Sequence, residues 1–382
     1  MSDSFEIKFD VIKKKLEKED SNNVASNLPD FEIFKETITS RRLILYGCGV
    51  GGYALGDWLN GLGIITDGYA DSKRTGIFPF SGKPIITLNE LLEDHSDANV
   101  LISSKDYDTE IYEMLLASGF PITQLFHFPI LFPNNPSDGE QRMSICEFSE
   151  SYLDGYKWAY DFFPDDESKR VVIGRIETYL LATPLAASNN YPEYFDPNII
   201  SLGENEIVVD GGAYYGDSIV SISRESGGCY QHIYSFEPDV KKCEMMKQEF
   251  ALYKNVTIIP KGLWNQDAQL SFSHAGLGAS SSLVFNLSDN IETVSVTSLD
   301  VYFRDKELPT FIKMDIEGSE FEALRGAERI IKANKPTLAI CAYHKPEDVF
   351  MLTKLIHEYN PEYRVSLRQP CTGLTETTIY AV

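Results

Sequence analysis

The sequence predicts an α/β protein made of two Rossmann-like domains that are joined by a helical segment. Two observations lead to this fold class. A short apolar run, followed by glycines and a helix-like stretch, occurs first at Leu43 and again at Ile207. Downstream of each, apolar runs of strand length alternate with helical patterns. This alternation is typical of a parallel sheet that carries helices on both faces.

The patterns divide the chain into four predicted segments. They are an N-terminal helical segment over 1–40, a Rossmann-like domain of the nucleotide-binding type over 41–140, a helical connector over 141–200, and a second domain over 201–382. The connector is rich in aromatic residues, which we interpret as packing residues because large rings dominate the energetics of protein cores.

The composition restricts the class of partner. The chain has 382 residues, of which 43% are hydrophobic, and 34 Lys and Arg stand against 57 Asp and Glu, which gives a formal net charge of −23. Nucleic acids and anionic membrane surfaces attract clustered basic residues, so this acidity disfavours both as partners. We therefore expect a small-molecule acceptor as the partner and expect neither nucleic-acid nor membrane binding. The sequence leaves open whether the protein forms a homo-oligomer.

The compartment is predicted from cysteines and from the absence of targeting patterns. The six cysteines show no C-x-x-C pair, so we expect a reduced, cytoplasmic protein without a zinc ribbon. The first residues, Met1 to Glu6, lack the order of a secretion signal. The longest uncharged stretch, 118–137, contains four prolines and cannot form a membrane-spanning helix.

The first domain opens with a strand, a glycine-rich turn and a helix. After the strand Leu43–Tyr46, the residues Gly47, Gly49 and Gly52 have G-x-G-x-x-G spacing, and Asp71 ends the next apolar piece. This is the dinucleotide fingerprint in its expected context, and it predicts a second nucleotide site, for NAD or a nucleotide sugar. A scaffold without a nucleotide is the alternative. The domain continues with alternating elements at 84–87, 88–94 and 100–103, and a Pro-rich stretch over 120–136 closes it.

The sequence pattern of the second domain predicts seven strands with interleaved helices and one inserted hairpin. The strands are expected at 207–210, 232–236, 256–260, 311–314, 337–342, 364–367 and 375–380, and the hairpin at 269–273 and 292–297. The helices are expected at 218–224, 240–253, 319–333 and 347–359. The last two strands have no helix between them, so we expect an antiparallel strand within an otherwise parallel sheet.

A glycine-rich turn and a later acid predict an adenosine site in this domain. The turn Asp210–Gly216 follows the first strand, and Glu237 follows the second. Ligands of doubly wound sheets bind at the carboxyl edge where the strand order reverses, and an acid there can accept both ribose hydroxyl protons. The alternatives are a plain tight turn for the glycines and a favourable helix N-terminal charge for Glu237.

Residues of about 190–382 resemble the FkbM-type S-adenosylmethionine-dependent methyltransferases. The matching segments are Ile207–Asp217, Phe236–Asp239, Lys261–Trp264, Ser280–Ser282, Phe311–Glu320, Pro336–Asp348 and Leu367–Arg368. The resemblance implies the class I seven-stranded methyltransferase sheet and S-adenosyl-L-methionine as the cofactor. It implies cofactor contacts at Asp210, Gly212, Ala213, Gly216, Glu237, Pro238 and Gly262.

Three residues at the ends of later strands are candidates for catalysis. Asp315 and Glu317 follow the fourth strand and could orient an acceptor hydroxyl, serve as a base or bind a divalent cation; nothing else in the sequence supports a metal. His344 follows the fifth strand and titrates near neutrality, which suits a proton acceptor. The alternative is structural, because Ser319 and Glu322 have the spacing of a capping box.

Three functions are compatible with these patterns. The leading one is an S-adenosylmethionine-dependent O-methyltransferase, whose acceptor the resemblance implies to be a small hydroxylated molecule such as a sugar, in polysaccharide or natural-product tailoring. The second is an NAD-dependent oxidoreductase or nucleotide-sugar-binding protein that uses the first domain, although Lys105 and Tyr107 lack Tyr-x-x-x-Lys spacing. The third is an assembly module with a vestigial methyltransferase domain.

Overall fold

The computed structural model divides the chain into two compact units. It describes residues 4–19, 31–79, 81–103, 108–127, 143–181, 185–188, 191–274, 281–282, 291–372 and 376–382. The smaller unit comprises 26–139 and 274–280, and the larger unit comprises 1–25, 140–273 and 281–382. Four residues singled out above, Lys105, Tyr107, Ser280 and Thr375, lie outside the described residues.

The smaller unit contains a mostly parallel sheet. After α1 (Phe5–Glu19), which belongs to the larger unit, the chain forms α2 (Phe31–Thr39), β1 (Leu43–Tyr46), α3 (Val50–Gly61), β2 (Gly68–Ala70), β3 (Gly76–Phe78), β4 (Lys83–Ile86), α4 (Leu88–Asp94), β5 (Asn99–Ile102), α5 (Asp108–Ala117), a 3₁₀ turn (Ile122–Gln124) and β6 (Leu125–His127). The described strands have the order β3-β4-β2-β1-β5-β6. Only β3 runs antiparallel to its described neighbour. This is a Rossmann-like arrangement, with the order reversing at β1.

The larger unit contains the second sheet and the remaining helices. Its elements are α6 (Ile145–Ser151), α7 (Leu153–Phe162), α8 (Asp166–Leu181), β7 (Ile207–Gly211), α9 (Asp217–Glu225), β8 (His232–Phe236), α10 (Val240–Glu249), β9 (Val256–Ile259), β10 (Gly262–Leu263), β11 (Ala268–His274), β12 (Ser281–Ser282), β13 (Ile291–Thr297), α11 (Leu299–Tyr302), β14 (Phe311–Met314), α12 (Glu320–Arg325), α13 (Glu328–Asn334), β15 (Thr337–Cys341), α14 (Asp348–Tyr359), β16 (Val365–Arg368) and β17 (Thr378–Ala381).

The main sheet of the larger unit confirms the predicted fold class. Its seven described strands have the order β16-β17-β15-β14-β7-β8-β9. As predicted, β17 is antiparallel to both β15 and β16, whereas the other pairs are parallel. The hairpin is also found, because β11 and β13 pair antiparallel in a separate four-stranded sheet.

The central strands are buried along their whole length. Every residue of β7 and of β14 is buried, and such strands read as continuous apolar runs because helices cover both faces of the sheet. Two charged residues interrupt these runs, Asp210 in β7 and Lys313 in β14, and both are almost fully buried. A charge at such a position needs a partner, and the partner is described with the site below.

The first helix and the predicted connector share a core with the second sheet. Phe5 and Phe9 of α1 pack with Phe148 and Tyr156 in the same buried cluster as the strand residue Leu338. The aromatic residues of the connector are therefore packing residues, and the structure places 140–200 in the larger unit rather than between two domains. No described helix is long and apolar enough to cross a membrane.

One predicted helix is broken in the structure. Residues 319–333 were expected to form a single helix, but the chain forms α12 and α13, with the C-cap of α12 at Gly326. A Cβ at Gly326 would lie 2.1 Å from the carbonyl oxygen of Trp264. The close approach of that backbone requires glycine, and the contact is tertiary, so helical periodicity alone does not reveal it.

Core packing in the larger unit can be tested with one buried and one exposed leucine. Leu338 of β15 is fully buried, whereas Leu252 is 94% exposed. We expect Leu338→Ala to lower the free energy of unfolding by about 2–5 kcal/mol, since it leaves a cavity, and the control Leu252→Ala to change it by less than about 0.5 kcal/mol. Urea unfolding followed by circular dichroism measures both, and equal losses would contradict the described burial.

Candidate active site at the carboxyl edge of the larger sheet

The turn after β7 lies where the order of the parallel strands reverses. β7 pairs with β8, which follows it in the chain, and on its other side with β14, which comes about a hundred residues later. The amides of Gly212 and Ala213 donate to the carbonyl of Phe236 at 3.0 and 3.1 Å. The turn is thus bonded to the end of β8, at the crevice where doubly wound sheets bind ligands.

Two glycines of this turn are required by the packing of the protein itself. Gly212 has φ +73°, and a Cβ there would lie 1.7 Å from the carbonyl oxygen of Asp315. Gly216 has φ +90°, and a Cβ there would lie 2.2 Å from the ring of Phe250. The close contact between Gly212 and Asp315 brings the glycine-rich turn directly against the predicted catalytic segment.

Glu237 is buried and bonded to the same turn. Its carboxylate accepts hydrogen bonds from the amides of Tyr214 at 3.0 Å and Asp239 at 2.9 Å, one on each oxygen. Each oxygen keeps a further acceptor position, since a carboxylate offers about four. Burial raises the pKa of Glu237 to about 7, although the nearby Lys242 ammonium acts in the opposite direction.

Asp210 pairs with Lys313. The Lys313 Nζ lies 3.1 Å from Asp210 Oδ1 and donates to the carbonyls of Gly211 at 3.1 Å and Gly212 at 2.8 Å. Burial acts to lower the pKa of Lys313, but the carboxylates of Asp210 and Asp315 raise it above its usual value. Asp210 therefore shapes the turn indirectly, through the ammonium that binds it.

The other predicted cofactor residues differ in burial. Ala213 is fully buried, and its amide donates a hydrogen bond to the Phe236 carbonyl. Pro238 is partly exposed and directly follows Glu237. Gly262 is buried in β10 and pairs with Val296 of β13.

Asp315 is held by two tyrosines that the sequence analysis did not single out. Tyr194 donates its hydroxyl to Asp315 Oδ2 at 2.8 Å, and Tyr343 donates to Oδ1 at 3.2 Å. Burial acts to raise the pKa of Asp315, but His344, Lys313 and the Tyr194 hydroxyl hold it well below its usual range. Asp315 is therefore a fixed, ionised acceptor beside the glycine-rich turn.

His344 lies among three carboxylates. Its Nε2 is 3.3 Å from Asp315 and 3.4 Å from Glu317, and its Nδ1 is 3.1 Å from Glu320. Neither ring nitrogen has a hydrogen-bond partner among the described residues, so these are ion-pair distances without hydrogen-bond geometry. Burial acts to lower the pKa of His344, but Glu320 and the other carboxylates raise it well above its usual value.

The site residues differ in how open they are. The side chain of Glu317 is 33% exposed and that of Asp315 is 21% exposed, whereas those of His344 and Glu320 are 8% and 0% exposed. The structure thus brings all three predicted catalytic residues together and adds Glu320 beneath them. Of the residues that sequence reasoning missed, Lys313 carried a visible signal, because it interrupts an apolar strand.

The capping-box alternative is wrong. Ser319 is the N-cap residue of α12, but its side chain makes no capping hydrogen bond. Glu322 instead accepts hydrogen bonds from Asn265 and Arg325. The chain enters the helix through Glu317 and Gly318, both with positive φ, so this entry differs from the extended N-cap that a capping box needs.

In the smaller unit, Asp71 is the acid of the predicted second nucleotide site, and its carboxylate accepts hydrogen bonds from three backbone amides. Asp71 Oδ2 accepts from the Cys48 amide at 2.8 Å, and Oδ1 accepts from the amides of Lys73 and Arg74 at 2.8 and 2.9 Å. In the G-x-G-x-x-G turn, a Cβ at Gly52 would lie 2.3 Å from the carbonyl oxygen of Gly47. Gly49 is the N-cap of α3 without a side-chain cap.

Comparison with known proteins identifies the larger unit. The family model of the methyltransferase FkbM domain matches residues 210–364. These residues form a methyltransferase FkbM domain. The matched residues include Glu237, Asp315 and His344, and the family supports methyl transfer from S-adenosylmethionine. No curated protein sequence matches the chain.

One of the solved structures that match, the first below, shares the fold. The crystal structure of methyltransferase FkbM from Methylobacillus flagellatus KT matches over 98% of this chain and 99% of its own, with 20% identity and a TM-score of 0.55. An rRNA methylase from Streptococcus thermophilus matches over 47% and 87%, with 18% identity and a TM-score of 0.32. Aeropyrum pernix fibrillarin, solved with bound S-adenosyl-L-methionine, matches over 48% and 69%, with 12% identity and a TM-score of 0.32.

The role of Glu237 can be tested by cofactor binding. We expect Glu237→Ala to weaken binding of S-adenosylhomocysteine by about 1–3 kcal/mol, because the ribose hydroxyls would lose a charged acceptor. Isothermal titration calorimetry measures the change. The control is Glu244→Ala, which removes an exposed carboxylate of α10 and should leave affinity unchanged; unchanged affinity in Glu237→Ala would remove Glu237 from the site.

The raised pKa of Glu237 predicts a pH-dependent affinity. With a pKa of about 7, the free protein carries a proton on Glu237 at lower pH, and a carboxylate accepts ribose hydrogen bonds better than a neutral carboxyl. Affinity for S-adenosylhomocysteine should therefore rise as pH increases towards 7, by up to about tenfold per unit, and level off above it. Calorimetry between pH 5.5 and 8.5 tests this, and Glu237→Gln should remove the dependence.

Proposed function

We propose that this protein, through its FkbM methyltransferase domain, is an S-adenosylmethionine-dependent O-methyltransferase whose acceptor is a small hydroxylated molecule, a sugar or sugar-containing metabolite. The observation that carries the proposal is the contact between the glycine-rich turn and Asp315. The Asp315 amide donates to the Gly211 carbonyl at 3.1 Å, and Gly212 lies against the Asp315 carbonyl. The turn for the donor and an ionised carboxylate for the acceptor are thereby fixed side by side.

The residues at the turn fit the adenosyl group. Glu237 keeps one acceptor position on each oxygen after its two backbone bonds, which suits the two hydroxyls of a ribose. Its position at the end of β8 is the one that doubly wound sheets use for this contact. When bound, S-adenosylmethionine supplies a methyl group on a cationic sulfonium.

Asp315 is the residue that we assign to the acceptor hydroxyl. Methyl transfer to oxygen is an in-line displacement, so the protein must align the hydroxyl and accept its proton. Asp315 and Glu317 are open to a ligand, whereas His344 lies beneath them with a side chain that is only 8% exposed. Tyr194 and Tyr343 fix the Asp315 carboxylate, and His344 acts as a positioning residue for it.

The family of the matched domain and the charge of the protein support this class of acceptor. The chain carries a formal net charge of −23. The described carboxylates of Asp315 and Glu317 lie at the site, and the described residues there form no basic patch. A nucleic acid or another large polyanion would be repelled. A neutral or cationic hydroxylated metabolite is compatible with such a surface, and a sugar hydroxyl can donate a hydrogen bond to Asp315.

The assignment of Asp315 is tested with labelled S-adenosylmethionine and a panel of sugars and nucleotide sugars. On any acceptor that the parent chain methylates, Asp315→Asn should lower turnover by about 10²-fold or more, the scale of losing a general base. Affinity for S-adenosylhomocysteine should change by less than about threefold, since the turn keeps its backbone bonds. Asp305→Asn, in the exposed segment before β14, is the control and should turn over normally.

Two results would contradict the proposal. Normal turnover in Asp315→Asn would remove Asp315 from the reaction. Absence of S-adenosylhomocysteine binding to the parent chain would overturn the methyltransferase assignment itself, whatever the panel shows.

A further inference from the structure

We infer that the larger unit binds a divalent metal ion through Asp315, Glu320 and His344, beneath the acceptor side of the site. Each of these residues offers one ligand atom, and the three atoms lie within 4.8 Å of one another. Ligand atoms about 2.1 Å from one ion are about 3.0–3.4 Å apart. Small side-chain rotations would therefore bring the three atoms to coordinating distance.

Unpartnered buried atoms in this cluster point to a ligand independently of the spacing. Glu320 is fully buried, and its Oε2 has no hydrogen-bond partner among the described residues. The His344 ring is almost as buried, and both of its nitrogens also lack a partner there. Buried polar groups are almost always hydrogen-bonded, so the unpartnered carboxylate oxygen of Glu320 indicates a missing donor or cation, and the unpartnered imidazole nitrogens show that His344 does not supply it by a hydrogen bond.

The charges of the cluster lead to the same conclusion. Asp315, Glu317 and Glu320 all lie within 3.4 Å of His344. Lys313, the nearest buried ammonium, already donates to two carbonyls and contacts Asp210. One imidazolium cannot neutralise three carboxylates, whereas a divalent cation can, and buried charges are normally paired or bound to metals.

The donor set selects the class of metal. One imidazole nitrogen with two carboxylate oxygens suits Mn²⁺, Fe²⁺ or Zn²⁺, since Mg²⁺ and Ca²⁺ prefer oxygen ligands alone. An ion here would lie next to the carboxylate that we assign to the acceptor hydroxyl, and it could lower the pKa of that hydroxyl. This use of the ion rests on the proposed function; binding of the ion does not.

A second group of carboxylates supplies a matched control. Glu193, Asp315 and Glu376 also bring three ligand atoms within 4.8 Å, but all three residues are partly exposed and none is a histidine. The two groups share Asp315, so Glu320 and Glu376 are the residues that distinguish them. The proposal commits to the buried group that contains Glu320.

The test uses Mn²⁺ binding to the full chain after treatment with EDTA, followed by electron paramagnetic resonance and without any methyl donor. We expect about one tight Mn²⁺ per chain. Glu320→Gln and His344→Gln should lower its affinity at least tenfold, whereas Glu376→Gln should change it by less than about twofold. In Glu320→Gln the new amide oxygen can still accept the bond that Glu320 accepts from the Ile316 amide, and circular dichroism in EDTA checks that each variant is folded.

The outcomes separate this proposal from the methyltransferase assignment. Only weak, unsaturable Mn²⁺ binding to the parent chain, parent-like affinity in Glu320→Gln, or loss of binding in Glu376→Gln would each overturn the metal site. Binding of S-adenosylhomocysteine measured in EDTA tests the proposed function alone. Tight Mn²⁺ binding without S-adenosylhomocysteine binding would therefore leave the metal site standing and remove the methyltransferase.

Discussion

The carboxyl edge of the larger sheet depends on the buried ion pair between Lys313 and Asp210. The ammonium of Lys313 reaches from β14 to the end of β7, where it contacts Asp210 and donates to the carbonyls of Gly211 and Gly212. The ammonium thus makes two hydrogen bonds to the turn and one ion pair, at 3.1 Å, with Asp210. Removing either partner would leave an uncompensated charge in the centre of the sheet, which is more destabilising than the pair itself is stabilising. The pair thus determines the position of the glycine-rich turn more than it strengthens the fold.

The same ammonium links Asp210 and Asp315 electrostatically. Asp210, Asp315 and Asp217 all act to keep Lys313 protonated, while Lys313 in turn helps to keep Asp315 ionised. The surrounding edge is otherwise rich in carboxylates, which favours cationic ligands. A sulfonium donor and a divalent metal ion both satisfy that condition, so the two proposals rest on one electrostatic feature but on different residues.

The sequence predicts the parts of this structure that depend on local patterns. The strands Phe311–Met314 and His232–Phe236 have the predicted bounds, because central strands need uninterrupted apolar runs with clear turns around them. The turn at Gly212 was recognisable because its residue type follows from backbone geometry, and Glu237 because it directly follows the second strand of the unit. The matching family model could therefore be anticipated from a few short segments.

Other parts of the site depend on tertiary contacts that no local pattern encodes. Tyr194 reaches Asp315 from a segment 121 positions earlier in the chain, and its positive φ is unusual for an aromatic residue. Glu320 has the position of an ordinary first-turn acid, which favours the helix dipole, yet it is fully buried beneath His344. The sharing of one core by α1 and the connector also arises from packing between distant segments.

The two glycine-rich turns of the chain show how hydrogen bonds distinguish sites with similar residue types. In each unit an acid at the end of the second strand accepts a hydrogen bond from a backbone amide of the turn. In the smaller unit the Cys48 amide donates to Asp71, and in the larger unit the Tyr214 amide donates to Glu237. Asp71 accepts two further amides from its own loop, which leaves it about one acceptor position, whereas Glu237 keeps one on each oxygen. A ribose presents two hydroxyls. The acid of the larger unit can therefore bind both, while that of the smaller unit is mainly committed to its own loop.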